Sequence, residues 1–226
     1  METAESKPPS NRLSIARRIL LSSLRLFFSL LYHQFAWSYD AVAWCVSVGN
    51  WQKWVEAVEP FLNGPRVLEI GFGPGHLQLG LQRKKLLVFG LDESRQMVRI
   101  THKRLEKQGF TLRLVRADVQ QIPLASECVD QVVMTFPAEF IIQPAAIAEI
   151  RRVLAPGGNA LVLTMAWITG QRPWERLVAW VNWITGQAPD WDPKIIERLK
   201  PPGFDVGWEM VDFPNSKIVL VTLIKV

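Results

Sequence analysis

The sequence predicts an α/β fold: a doubly wound sheet of seven strands whose last strand runs antiparallel, preceded by a helical lid. Three observations carry this. From residue 65 onward, short β-type runs alternate with helical stretches, the pattern of a parallel sheet covered on both faces. The first of these runs feeds a glycine-rich loop, Gly71-Phe-Gly-Pro-Gly75, that opens a helix. The chain closes with two strand-like runs divided by Pro214-Asn215-Ser216, the spacing of a hairpin.

The elements follow in order. Residues 1–11 are polar, carry two prolines and read as a disordered tail. Residues 12–60 read as an amphipathic helix followed by the lid. Residues 61–226 form the α/β domain. Its first strand is Arg66–Ile70, and a helix starts at His76. The second strand, Leu86–Leu91, ends in Asp92, and a helix runs from about Ser94 to Lys107 with Gly109 as its stop. Leu112–Arg116 is the third strand and leads into Ala117-Asp118. Asp130–Thr135 is the fourth. A helix over Ala145–Leu154 is closed by Pro156-Gly157-Gly158, and Asn159–Met165 is the fifth strand. Residues 166–203 form a helical insertion, and Gly207–Phe213 with Lys217–Val226 make the hairpin.

Composition limits the function. The chain has 226 residues with 49% hydrophobic and 21% charged residues, which fits one globular domain and excludes disorder or a collagen-like repeat. Two cysteines make neither a disulfide framework nor a four-cysteine metal site, and no two of the three histidines sit at ligand spacing, so no metal is expected. The cysteine usage fits a reducing, cytoplasmic setting. The net charge of +5 is concentrated at the start. Residues 6–39 hold Lys7, Arg12, Arg17, Arg18 and Arg25 and no acid, so residues 1–39 sum to +3 and the remainder to +2. A basic face over the whole domain is absent, which disfavours a nucleic-acid partner. An anionic partner near the N-terminus is indicated, such as a membrane surface.

The apolar run Ile19–Tyr32 is short for a membrane span and is broken by Arg25, and no secretory cleavage pattern follows it. Ser14, Arg18, Ser22, Arg25, Ser29 and His33 recur at three or four residues as one narrow polar stripe on an otherwise apolar helix. Such a helix suits the plane of a membrane interface, as a peripheral anchor, or packs as a cap on its own domain or on a second copy.

The chemistry sits where the strands end, because open α/β sheets bind ligands beyond the carboxyl ends of their strands. Glycines at 71, 73 and 75 allow close backbone approach. The amides opening the next helix favour a negative group. Asp92 lies 21 residues after Gly71, near the separation at which an acid holds ribose hydroxyls. A dinucleotide fingerprint requires a small residue at position 76, where His76 stands, and no P-loop lysine is present. The loop, preceded by Glu69, suits a ligand with an amino-acid end and a ribose end but no pyrophosphate.

Four segments in order, VLEIGFGPGHLQL, GLDESRQM, RADVQQIPLASECVDQVVMTF and EIRRVLAPGGNALVL, resemble the successive motifs of class I S-adenosylmethionine-dependent methyltransferases, whose fold is a Rossmann-like sheet. The resemblance covers roughly residues 60–165. It implies S-adenosylmethionine as cofactor and S-adenosylhomocysteine as product. It implies that Glu69 and the loop of Gly71, Gly73 and Gly75 hold the methionine end. Asp92 would take the ribose hydroxyls, with Glu93 and Met97 beside ribose and adenine. Asp118 would accept from the adenine amino group and Val119 would donate its amide. Thr135 and Phe136 would face the methionine part and the methyl acceptor.

Residues 35–55 resemble the lid of ubiquinone and menaquinone biosynthesis methyltransferases, where a Tyr-Asp pair, here Tyr39-Asp40, approaches the cofactor. Phospholipid N-methyltransferases have a similar plan. The usual acceptor-orienting acid or asparagine after the fourth strand is replaced by Thr135-Phe136-Pro137-Ala138-Glu139. Tyr39, Glu139 and His33 are the candidate catalytic residues, and His76 reads as structural. Nine of ten tryptophans lie in the lid and in the segment after the fifth strand, where they serve as core packing or as an apolar acceptor channel or interfacial belt. Few bases are offered, which favours a positioning mechanism and an amine acceptor, while the tryptophans and the N-terminal helix favour a hydrophobic, lipid-like one. A phospholipid amine comes first, and a quinone precursor or small metabolite second. A membrane-associated protein that binds the cofactor without catalysis is the non-enzyme alternative.

Overall fold

The computed structural model describes residues 39–137, 143–184 and 200–226, without the side chains of residues 39–42 and 184. The tail, the amphipathic stretch 12–38 with His33, Glu139, the Tyr39 side chain and residues 185–199 of the expected insertion lie outside the described residues.

The described chain runs α1 (Tyr39–Ser47), α2 (Trp51–Glu56), β1 (Arg66–Ile70), α3 (His76–Arg83), β2 (Leu87–Asp92), α4 (Arg95–Lys107), β3 (Leu114–Arg116), β4 (Val129–Thr135), α5 (Pro144–Val153), β5 (Leu154–Ile168), α6 (Pro173–Ile184), β6 (Phe204–Phe213) and β7 (Ser216–Lys225). The seven strands form one sheet in the order β3-β2-β1-β4-β5-β7-β6. β1 to β5 are mutually parallel, and β7 is antiparallel to both β5 and β6. The expected antiparallel last strand is therefore present, inserted between β5 and β6.

Side chains of a strand alternate between the two faces, and a parallel sheet buries both. Two separate cores result. Leu68, Val132, Met134, Ala160 and Val162 pack on one face with Ala146, Ile150 and Val153 of α5. Val67, Val133, Leu161 and Leu163 pack on the other with Trp54 and Val55 of α2 and Leu77 and Leu81 of α3. The sheet is pinned at the amino ends of its central pair. Arg66 donates from its backbone amide and its Nε to Asp130 Oδ2, at 2.9 and 3.0 Å. Across the second face, Trp54 Nε1 donates to the buried Ser216 Oγ at 2.9 Å, tying α2 to the start of β7.

Some boundaries move. Pro156-Gly157-Gly158 does not close a helix: α5 stops at Val153 and β5 starts at once, because Leu154 pairs with Val129 before the register shift to Asn159 and Gln131. β3 shrinks to three residues. The hairpin lengthens, since Phe204 is fully buried and pairs with Lys225, and Ser216 belongs to β7 rather than to the turn. Residues 166–168 of the expected insertion still belong to β5.

Candidate functional site

The strand order reverses between β1 and β4: β2 and β3 lie to one side and β5 to the other. A cavity of about 480 Å3 opens at the carboxyl ends of β1, β2 and β4, where such a reversal leaves a crevice. Its walls include Glu69, Gly71, Phe72, Gly73, Asp92 and Glu93, then Asp118, Val119, Thr135 and Phe136.

The loop after β1 is built on positive φ. Gly71, Gly73 and Gly75 have φ of 72°, 51° and 80°. Among the described residues, chain neighbours aside, a Cβ on Gly71 or Gly73 would meet no atom within 4 Å, so these two present bare backbone to the cavity they line. Gly75 does something else. A Cβ there would collide with the Thr101 side chain, and Thr101 Oγ1 donates to Gly73 O at 2.7 Å. Gly75 therefore lets α4 close onto the loop and is not part of the cavity wall.

Asp92 ends β2 and is 9% exposed. Its Oδ2 accepts from the Gly73 amide at 2.9 Å and its Oδ1 from the Ser94 amide at 2.8 Å. Burial pushes its pKa up, and those two amides work against that push. Each carboxylate oxygen has a second lone-pair direction, so Asp92 holds the loop and keeps acceptor capacity. Ser94 caps α4 by accepting from the Met97 amide. Met97 itself is fully buried in the interior and does not line the cavity, so its expected place beside ribose and adenine does not follow from the cavity wall.

Glu69 is 1% exposed, and its Oε2 has no partner among the described residues. Desolvation raises its pKa to about 8. Gln78 counters the rise by hydrogen bonding, and the nearby Asp92 adds to it. A buried carboxyl of this kind is held neutral until a cation reaches it.

At the other end, Asp118 Oδ1 accepts from the Gln120 amide at 2.9 Å and caps the short turn Val119–Gln121. Phe136, the residue after β4, sits at φ 51°, a conformation that a bulky residue adopts only when its surroundings impose it. Its amide donates to Leu163 O at 2.8 Å, and its ring stacks on Trp51 with centroids 4.7 Å apart. Trp54 flanks the pair at 6.1 Å. Trp51 and Phe136 thus form an aromatic wall of the cavity.

Nine residues singled out from the sequence meet here: Glu69, Gly71, Gly73, Asp92, Glu93, Asp118, Val119, Thr135 and Phe136. Tyr39 opens α1 without a described side chain, and His33 and Glu139 lie outside the described residues. Sequence reasoning placed Trp51 only among the lid tryptophans, as core packing or an acceptor channel, and read His76 as structural; both line the cavity. Trp51 carried a signal, its place in the tryptophan-rich stretch just ahead of β1.

A methyltransferase-domain family profile matches residues 67–158. The demethylmenaquinone methyltransferase of Clavibacter sepedonicus is 28% identical over 139 residues, 59% of this chain and 56% of that one. The namesake enzyme of Thermus thermophilus is 30% identical, over 59% of this chain and 63% of its own. The chain thus spans little more than half the length of the curated relatives it matches. A Haemonchus contortus phosphoethanolamine N-methyltransferase, solved with S-adenosylhomocysteine, shares the fold at 19% identity. Its TM-score is 0.56, over 78% of this chain and 53% of that one. A methyltransferase from Aquifex aeolicus does so at 21% identity and TM-score 0.51, over 76% and 88%.

The residues present fit S-adenosylmethionine. The unpartnered Glu69 oxygen suits its cationic amino-acid end, the bare backbone of Gly71 and Gly73 admits close approach, and Asp92 and Asp118 supply acceptors along the rest of the cavity. With these motifs in order along the chain and the cavity at the strand ends, the protein carries a methyltransferase domain of the class I S-adenosylmethionine-dependent type, similar to the ubiquinone and menaquinone biosynthesis methyltransferases.

Proposed function

We propose that the whole chain is a methyltransferase acting on a hydrophobic acceptor with a flat ring head, of the class of a demethylated quinol, at a membrane surface. The observation that carries this is the aromatic wall. Trp51 and Phe136 stack 4.7 Å apart and line the same cavity as the cofactor-binding residues. A planar ring gains offset-stacking contacts there that a small polar metabolite does not. The quinone-pathway relatives support the same class.

When bound, S-adenosylmethionine supplies a methyl group on a sulfonium, electrophilic without further activation. The chain's residues bind and position. Glu69 faces the cationic amino-acid end, and Asp92 accepts from the sugar hydroxyls while holding Gly73 in place. Trp51 and Phe136 fix the plane of the acceptor and keep water from the reacting side, since positioning supplies much of the rate gain in such a displacement. Tyr39 and Glu139 are proposed to approach the acceptor as positioning or proton-accepting groups, and His33 to do so from the N-terminal segment.

A second reading, the phospholipid amine, rests on the same two rings, whose faces attract a cationic head group. The membrane setting draws support from the five cations and absent acids of residues 6–39. Among the described residues no helix is long and apolar enough to cross a membrane, so the attachment proposed is peripheral.

Incubation with labelled S-adenosylmethionine tests the reading, with a reduced demethylated quinone, phosphatidylethanolamine vesicles and a soluble catechol as parallel acceptors. Label in the quinone fraction is expected. Label in the phospholipid moves the conclusion to the amine. Cofactor binding with transfer to none of them leaves a cofactor-binding protein without catalysis.

A further inference from the structure

Helix α6 is amphipathic in the inverted sense. Its protein-facing side carries Glu175, only 4% exposed, with Val178, Ala179 and Asn182 partly covered. Its solvent side carries Trp174, Leu177, Trp180 and Trp183 at 52, 59, 57 and 65% exposure. At 100° per residue these four fall within one half of the helix circumference. The polar groups turned inward are satisfied. Glu175 accepts from the Arg172 amide at 2.9 Å and from Asn215 Nδ2 at 3.1 Å, and Asn182 Nδ2 donates to Val46 O of α1. Trp44 of α1, beside α6, is 65% exposed as well. A helix that seats itself on Val178, Ala179 and two satisfied polar residues, and turns three indoles with Leu177 and Val181 to solvent, is built to meet something.

We infer that this face, α6 with Trp44, docks on the interfacial region of an anionic lipid bilayer. Three observations choose the bilayer. The exposed set is dominated by indole, the side chain that pairs an apolar body with an N–H and collects at the headgroup level. The charges beside it are cationic: Arg172 and Arg176 are exposed, while the one acid of the helix is turned inward. The Arg172 guanidinium lies over the Trp174 ring at 5.4 Å, which places a cation at the depth of the indoles. In the sequence, the 38 residues ahead of α1 carry five cations against two acids, which suits the same anionic surface. The inference deepens the membrane setting of the proposed function without depending on the transfer step.

The test uses the full chain and vesicles of phosphatidylcholine with and without phosphatidylserine, scored by flotation and by quenching of tryptophan fluorescence with brominated lipid. The variant is Trp180→Ser with Trp183→Ser. Both side chains are exposed, so its folding is checked by thermal unfolding and by S-adenosylhomocysteine binding. Wild type should float with the anionic vesicles and be quenched. The double variant should lose about tenfold or more in partitioning, the scale expected from two indoles returned to water. Arg172→Ala with Arg176→Ala should weaken binding to anionic vesicles only. Vesicle binding by the double variant equal to wild type overturns the inference and leaves residues 12–38 as the anchor. So does a wild type that ignores vesicles, whether monomeric, with the face covered by its own segment, or self-associated through it by light scattering. Transfer to detergent-dispersed acceptor, measured alongside, reports on the proposed function separately.

Discussion

Glu69 is the residue whose chemistry reaches furthest. Its carboxyl is fully buried, holds its proton to about pH 8 and leaves Oε2 unpartnered. At pH 7 the ligand-free chain therefore carries a neutral Glu69, and a cationic ligand end against it favours the ionised form. Binding of S-adenosylhomocysteine should release a proton from Glu69 at pH 7, the direction that a pKa of about 8 requires. Calorimetry in two buffers of different ionisation enthalpy measures it, and a buffer-independent heat would remove the assignment. The same shift has a stability consequence. The folded chain binds a proton that the unfolded chain gives up between about pH 4.5 and 8, so this group's contribution falls as pH rises through that window. Glu69→Gln should flatten that part of the profile relative to wild type in denaturant titrations. The identity of this residue was legible in the sequence, next to last in the first strand and just before the glycines. Its protonation was not, because it depends on how completely α3 and the sheet close over it.

At the scale of elements, the glycine loop is held from behind by α4. Thr101 Oγ1 bonds Gly73 O at 2.7 Å, and Gly75 leaves the room for it. Thr101→Val keeps the volume and removes the bond. The expected cost is about 1 kcal/mol in cofactor affinity with little change in fold, read by titration calorimetry. Gly73→Ala separates conformation from packing in the same loop. Its Cβ meets no protein atom, so folding should suffer only the penalty of a left-handed residue, about 1–2 kcal/mol. Cofactor binding should fall by tenfold or more, because the added methyl occupies backbone meant to face the ligand. A variant that binds as well as wild type would show that the loop does not approach it. The alternation of strand and helix was readable from period and from turn residues. The edges were not, since the start of β5 at Leu154 and of β6 at Phe204 is set by pairing with residues distant in sequence. The wall of Trp51 and Phe136 was hidden for the same reason: the two rings that stack stand 85 positions apart in the sequence.

For the whole molecule, the strand order reverses between the parallel strands β1 and β4, and the motifs sit at that point. Order of motifs along the chain therefore foretold the position of the cavity, whereas the composition of its acceptor side needed coordinates. Asp92 joins the two scales. Its carboxylate holds the Gly73 amide and the Ser94 amide, so it ties the loop after β1 to the cap of α4 even before a ligand arrives. Ligand binding should then stabilise the molecule as one unit. S-adenosylhomocysteine at about a hundred times its Kd should add roughly 2.7 kcal/mol, which for a chain of this size raises Tm by about 5–10 °C. Asp92→Ala should do two things at once. It should lower the ligand-free Tm, because two amides lose their acceptor, by an amount equivalent to about 1–3 kcal/mol. It should also shrink the ligand-induced shift at the same ligand concentration. A variant whose ligand-free Tm falls while the full shift survives would confine Asp92 to holding the loop and would pass the sugar contact to Glu93 or Asp118, two further acids of the cavity wall.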